Sequence, residues 1–267
     1  MNFTELGLSE KTIHAIDEFG IKEPTTVQTD VIPSILQGKD VFTIAPQRCG
    51  KTTSYVFPLI DIISSAKAKQ KNILIITPDS EQSVIVSDRM AIFNKYHEIN
   101  EATIKDKDED IDNEANVIIG SPELLIELSQ ENRIDLSKIN ILVVDDINLI
   151  KKNKQLSNLE KILELLPAEK QNIIYTNRRS KETQDILDKI LKAPQEIKVN
   201  KDKEQEALQA PEQAVSKPAK KEKKTTRQHK IPEVEDKEAL ELMKKYNSFK
   251  GKTPHFLLNA GVIVANE

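Results

Sequence analysis

Eight residues, APQRCGKT from Ala45 to Thr52, limit what this chain can fold into more than any other stretch. The apolar run 40–45 leads into them and a helical pattern, 52–65, leads out, so a buried strand turns directly into a helix. Four variable residues followed by Gly-Lys-Thr are the pattern of a phosphate loop, apart from alanine in place of the first glycine. The residue types have a chemical reason. Backbone N–H groups at the opening of the helix cradle phosphates, Lys51 neutralises the β and γ groups, and the Thr52 hydroxyl holds Mg²⁺. For these eight residues alone, an ordinary strand-to-helix turn that contains Gly-Lys-Thr is the competing reading.

Further short runs rich in β-branched residues occur at 72–77, 116–120, 140–145 and 172–176, with helical stretches such as 121–130 between them. Strands alternating with helices predict an α/β fold with a mostly parallel sheet and helices on both faces. The run 140–145 ends in Asp145 and Asp146, at the carboxyl edge where such folds bind ligands. Two solvated acids at a strand end are the alternative for that pair taken alone.

The periodic pattern fades near Val199. Residues 201–230 are polar and lack aromatics, which reads as a flexible linker, and their second half is basic: Lys217, Lys220, Lys221, Lys223, Lys224, Arg227 and Lys230 face only Glu222. Residues 231–267, with apolar positions at helical spacing and a second apolar run, 256–264, read as a small C-terminal element. No apolar run approaches the roughly 20 residues of a bilayer span. The start MNFTELGLSE lacks a signal-peptide pattern and Cys49 is the single cysteine, so a cytoplasmic, disulfide-free protein is expected. The net charge of -4 gives no general pull toward nucleic acid, which leaves the basic run 217–230 as the local patch for RNA.

Taken in order, Phe3, the stretch GIKEPTTVQ ending at Gln28, APQRCGKT, SPELL and VVDDIN closely resemble the first RecA-like domain of DEAD-box RNA helicases, over about residues 1–200. The resemblance implies a three-layer RecA-like P-loop domain and ATP with Mg²⁺ as ligands. The nucleotide residues it implies are Phe3, Pro24, Thr25 and Gln28, then Ala45, Arg48, Cys49, Gly50, Lys51 and Thr52. It gives Mg²⁺ to Thr52 and, through water, to Asp145, and water activation to Asp146. In the family the glutamine reads adenine. A side-chain amide donates and accepts at once, which matches the adenine edge and favours ATP over GTP.

Several positions depart from the family pattern. Arg48 replaces a glycine, and either strains the loop or reaches a phosphate. Cys49 stands for serine, as an inert small residue rather than a redox switch. Asp-Glu-Ala-Asp has become Asp145, Asp146, Ile147 and Asn148, so the water-activating residue is one methylene short; a misplacement of about 1 Å can cost on the order of a hundredfold in rate. The Ser-Ala-Thr region reads Tyr175, Thr176, Asn177, Arg178. The RNA loops are poorly kept: the first reads Thr77, Pro78, Asp79, Ser80, Glu81 without its arginine, acids crowd from Asp106 to Glu114, and Glu123 and Leu124 stand in place of Gly-Arg. With 67 residues after position 200, a second RecA-like domain, which in the family supplies an arginine finger, is not expected within this sequence.

Three functions remain open. The first is an ATP- or ADP-binding module, RNA-associated through Lys217 to Lys230, with little unwinding of its own. The second is an ATP-dependent RNA helicase subunit, a weak ATPase whose cleft a protein partner completes. The third is a scaffold with an empty loop.

Overall fold

The computed structural model of the chain describes residues 2–65, 72–108, 111–112 and 114–199; the linker at 201–230 and the C-terminal element at 231–267 lie outside the described residues. Among the described residues, seven strands form one sheet: β1 (Val41–Ile44), β2 (Asn72–Ile76), β3 (Glu101–Thr103), β4 (Val117–Gly120), β5 (Ile139–Val144), β6 (Gln171–Thr176) and β7 (Gln195–Lys198). Their order is β3-β4-β2-β5-β6-β1-β7, and every pairing is parallel. The sheet is thus wholly rather than mostly parallel among the described residues. The five apolar runs became β1, β2, β4, β5 and β6. Strands β3 and β7 have no such run, because an edge strand buries little: only Ala102 of β3 and Ile197 of β7 are buried.

Among the described residues, eight α-helices cover the two faces: α1 (Glu10–Glu18), α2 (Thr26–Leu36), α3 (Lys51–Ser64), α4 (Ser80–Phe93), α5 (Pro122–Gln130), α6 (Ile147–Lys152), α7 (Leu156–Leu165) and α8 (Lys181–Ile190). Alternation along the strands divides the core between them. Ile73, Ile75, Ile141, Val143 and Tyr175 pack with side chains of α1 to α4. Leu74, Ile76, Leu142, Val144 and Ile174 pack on the other face with those of α5 to α8. This is the three-layer RecA-like arrangement expected from the sequence. No described helix is long and apolar enough to cross a membrane.

The N-terminal segment is tied down by one carboxylate. Asp61 on α3 accepts from the Ser9 N–H and hydroxyl (both 2.6 Å) and from the Thr12 hydroxyl (2.5 Å), which fixes the start of α1 against α3. His97 joins the cluster, 3.0 Å from the Thr12 hydroxyl, and burial holds its pKa below the ordinary histidine value. Asp61→Ala removes all three acceptor contacts and leaves the fully buried Thr12 hydroxyl short of a partner. It is expected to lower unfolding free energy by about 2 kcal/mol in urea titrations.

Candidate functional site

Strand β6 lies between β1 and β5, so in a parallel sheet the ends of all three open on one edge. The phosphate loop leaves β1 there, the two acids follow β5, and the loop 177–180 follows β6. The Ala45 N–H donates to Thr176 O (3.0 Å) and the Asp145 N–H to Ile76 O (2.9 Å), which extends the ladder to the rim of the site.

Two residues of the phosphate loop have left-handed backbone, Gly50 at φ 82° and Arg48 at φ 64°. Gly50 has no alternative: a Cβ there would lie 2.9 Å from Thr25 Oγ1 and 3.0 Å from Gln28 Nε2. Arg48 takes up the same kind of backbone with a side chain, at a cost of roughly 1–2 kcal/mol. Cys49 is buried, and its thiol donates to Pro46 O (3.0 Å).

The segment expected to meet adenine braces this loop. Thr25 caps α2 and donates to Cys49 O (3.0 Å). Gln28 Nε2 donates to Thr53 Oγ1 (2.7 Å), and Gln28 Oε1 accepts from the Thr25 N–H (2.9 Å). Gln28 is 3% exposed, and each end of its amide makes one bond, which leaves one N–H and one lone pair to meet a base. Pro24 is half-buried at the same turn. Phe3 is buried in the core, edge-on to Phe57 at 5.9 Å, and so turned into the packing rather than toward the rim.

Helix α3 begins at Lys51 without a side-chain cap among the described residues, as do α5 and α7, whereas Ser9, Thr25, Asp79, Asp146 and Ser180 cap α1, α2, α4, α6 and α8. The N–H groups of its first turn, including that of Thr52, are left for another acceptor. Lys51 Nζ lies 3.4 Å from Asp146 Oδ2 and 3.5 Å from Ala45 O. Asp146 is itself left-handed (φ 64°, ψ 76°) and caps α6 by accepting from the Leu149 N–H (3.3 Å). Its carboxylate therefore already serves a helix end and an ion pair.

Asp145, 4% exposed, accepts on Oδ2 from Tyr55 OH (3.3 Å) and Gln82 Nε2 (3.2 Å). Burial pushes its pKa up to about 6; Lys51 and the two donors oppose that rise, and the neighbouring Asp146 adds to it. Burial likewise pushes the hydroxyls of Tyr55 and Tyr175 above the ordinary tyrosine value. Neither Tyr55 nor Gln82 stands out in the sequence. Tyr55 sits one turn into α3, and Gln82 in the first turn of α4, after a strand that pairs with β5. Only that pairing brings Gln82 to Asp145. An uncapped helix start, a lysine, a threonine and a buried carboxylate on one rim suit a nucleotide phosphate with its divalent cation, so the residues present fit the group that the loop pattern implies.

The profile of the DEAD/DEAH box helicase family matches residues 25–186, more than half of the chain. The chain belongs to this family. It is 26% identical over 221 residues to the ATP-dependent RNA helicase HAS1 of Pyricularia oryzae, covering 79% of this chain and 38% of that protein. To the ATP-dependent RNA helicase DeaD of Escherichia coli it is 26% identical over 204 residues, covering 74% of this chain and 32% of that one. The chain thus spans about a third of the length of the curated relatives it matches. Among solved structures, a DEAD box protein from Methanococcus jannaschii superposes with a TM-score of 0.70 at 24% identity, over 75% of this chain and 56% of that one. Dbp5 of S. cerevisiae bound to Gle1 and IP6 does so with a TM-score of 0.66 at 18% identity, over 75% and 52%. At those identities the superpositions bear on the fold alone.

Two departures from the DEAD-box pattern acquire a geometry. Asn148 keeps a link to the loop after β6: its Nδ2 donates to Thr176 Oγ1 (2.7 Å), Asn177 Oδ1 (3.2 Å) and Arg178 O (2.5 Å). An aspartate there could only accept, so this contact runs with the opposite polarity. On the side of the site toward β4, a groove of about 440 Å³ is lined by Asp79, Asp106 and Glu123 as well as Lys105 and Lys107. Its mixed charge offers a phosphate backbone no uniform attraction.

Because the folded Asp145 holds its proton more tightly than an unfolded one, its contribution to stability is present below about pH 4 and lost as pH rises through about 6. The loss amounts to about 3 kcal/mol at full extent. Asp145→Asn keeps an acceptor for Tyr55 and Gln82 without the buried charge. It is expected to raise the melting temperature at pH 7.5 and to flatten the fall in stability between pH 4 and 6.5, read by thermal unfolding across that range.

Proposed function

We propose that this DEAD-box domain is a nucleotide-responsive module that binds ATP or ADP with Mg²⁺ and unwinds little by itself. One observation carries the reading: Lys51, Thr52 and Asp145 converge on the uncapped start of α3, one hydrogen bond from the adenine-type glutamine through Thr53. In this reading the phosphates take the first-turn N–H groups and draw Lys51 away from Asp146. Bound Mg²⁺ would add charge neutralisation at the phosphates. Thr52 would hold it directly and Asp145 through water, and Gln28 would offer its second N–H and second lone pair to the adenine edge. Hydrolysis would be slow, because Asp146 is short and already caps α6. The basic run from Lys217 to Lys230 would give salt-sensitive attachment to RNA.

A second reading, a helicase subunit whose cleft a further polypeptide completes, draws support from the greater length of its relatives and from the cavity left open beside the phosphate loop. The Lys51–Asp146 ion pair supports a third, a scaffold that holds no nucleotide.

Equilibrium titration with Mg-ATP, Mg-ADP and Mg-GTP, followed by phosphate release with and without RNA, separates the three. Saturable adenine-selective binding that Lys51→Ala weakens at least about a hundredfold, without RNA-stimulated release, is the expected result. Rapid RNA-stimulated release would move the enzyme reading to first place. Absence of binding would leave the scaffold.

A further inference from the structure

The nucleotide cleft has a direction. Helix α2, which carries Thr25 at its cap and Gln28, packs on β1 and β7, so the base end of the cleft lies on that side of the phosphate loop. The phosphate tail of a nucleotide so placed points the other way along the sheet edge, toward the loops after β6 and β5. Arg178 is in the first of these, in the region where the family has Ser-Ala-Thr. Its carbonyl accepts from Asn148 Nδ2 (2.5 Å) and from the Thr176 hydroxyl (2.7 Å), which anchors the backbone from which the side chain projects.

Arg178 lines a cavity of about 650 Å³ with Pro46 and Gln47 of the phosphate loop, Asn148, Lys151 and Lys152. Among the described residues no carboxylate lines it, although the chain as a whole is acidic. Lys151 is held by Glu182 (2.8 Å), and the adjacent Arg179 is held by Glu196. The guanidinium of Arg178 and the ammonium of Lys152 have no hydrogen-bond or ion-pair partner among the described residues. Like charges gathered without a counter-charge against a concave wall repel one another, and an anion between them reverses the sign of that interaction.

We propose that Arg178 receives the terminal phosphate of a nucleoside triphosphate seated on the phosphate loop, with Lys152 supporting it, so that this domain distinguishes ATP from ADP by itself. The inference rests on the nucleotide-binding reading above. The γ-phosphate is the group that ATP has and ADP lacks, and a guanidinium offers it two parallel N–H donors. A cation carried on the same domain requires no second polypeptide to reach the phosphate.

The test is equilibrium titration of the full chain with Mg-ATP and with Mg-ADP, on the wild type, Arg178→Ala, Arg178→Lys, Lys51→Ala and Lys161→Ala. Arg178→Ala keeps the carbonyl contacts of the loop, and equal melting temperatures would show the fold intact. It is expected to weaken Mg-ATP about tenfold or more, the strength of one charge-assisted hydrogen bond, and to leave Mg-ADP unchanged. Arg178→Lys should recover part of the loss, because a point charge replaces the fork. Lys161→Ala, an exposed cation on α7, should alter neither nucleotide, which excludes a general charge effect. An equal loss for both nucleotides, or none, overturns the role of Arg178 while leaving nucleotide binding standing. Loss of binding to a short RNA with the ATP to ADP ratio unchanged would assign the cavity to RNA and also overturn it. Failure of the wild type to bind either nucleotide overturns the nucleotide reading and this inference with it; loss of both ligands in Lys51→Ala alone supports that reading and leaves Arg178 to be judged by its own variants.

Discussion

Parallel pairing of β1, β6 and β5 is the constraint on which the rest of this domain depends. Parallel strands need a crossover after each one and are buried on both faces, which accounts for the two helical layers and the near-continuous apolar runs. The same pairing places three successive strand ends on one rim. The phosphate loop, the acid pair and the loop after β6 meet there because their strands are neighbours in the sheet, although more than a hundred positions of sequence separate the first from the last.

Around that rim the polar groups are organised in pairs that a ligand must compete with. Lys51 is held by Asp146, Gln28 by Thr53 and Thr25, and Asp145 by Tyr55 and Gln82. Each pairing satisfies a group that burial would otherwise penalise. Each also sets a threshold for binding, since a phosphate must offer Lys51 more than a carboxylate that already caps a helix. The first turn of α3 follows the phosphate loop without a side-chain cap among the described residues, and its N–H groups give an anion its point of entry.

Departures from the DEAD-box pattern are not uniform in their consequences. Asn148 changes the polarity of a contact and keeps the contact. Asp146 is shorter than the glutamate of the family and is turned to a structural task. Arg48 places a side chain on left-handed backbone that a glycine would adopt without strain. Arg178 adds a charge to a wall that holds no acid among the described residues. These changes alter the balance of charge around the phosphate loop while leaving the strand ends and helix starts that define the loop in position.

The sequence by itself determined the α/β class, the five central strands, the phosphate loop and the family, because buried strands and a strand-turn-helix phosphate loop leave local signatures in apolar runs and in a glycine that must be left-handed. It also located Asp145 and Asp146 at a strand end. The edge strands β3 and β7 left no mark, since one buried side chain apiece makes no run. Only the tertiary structure decided what each rim residue touches: that Phe3 faces the core, that Gln28 bonds Thr53 and the Thr25 N–H, that Gln82 and Tyr55 reach Asp145, and that Arg178 lines the wall beside Pro46 and Gln47. Those contacts follow from which strands are neighbours, and strand order is a property of the assembled sheet that no local pattern encodes.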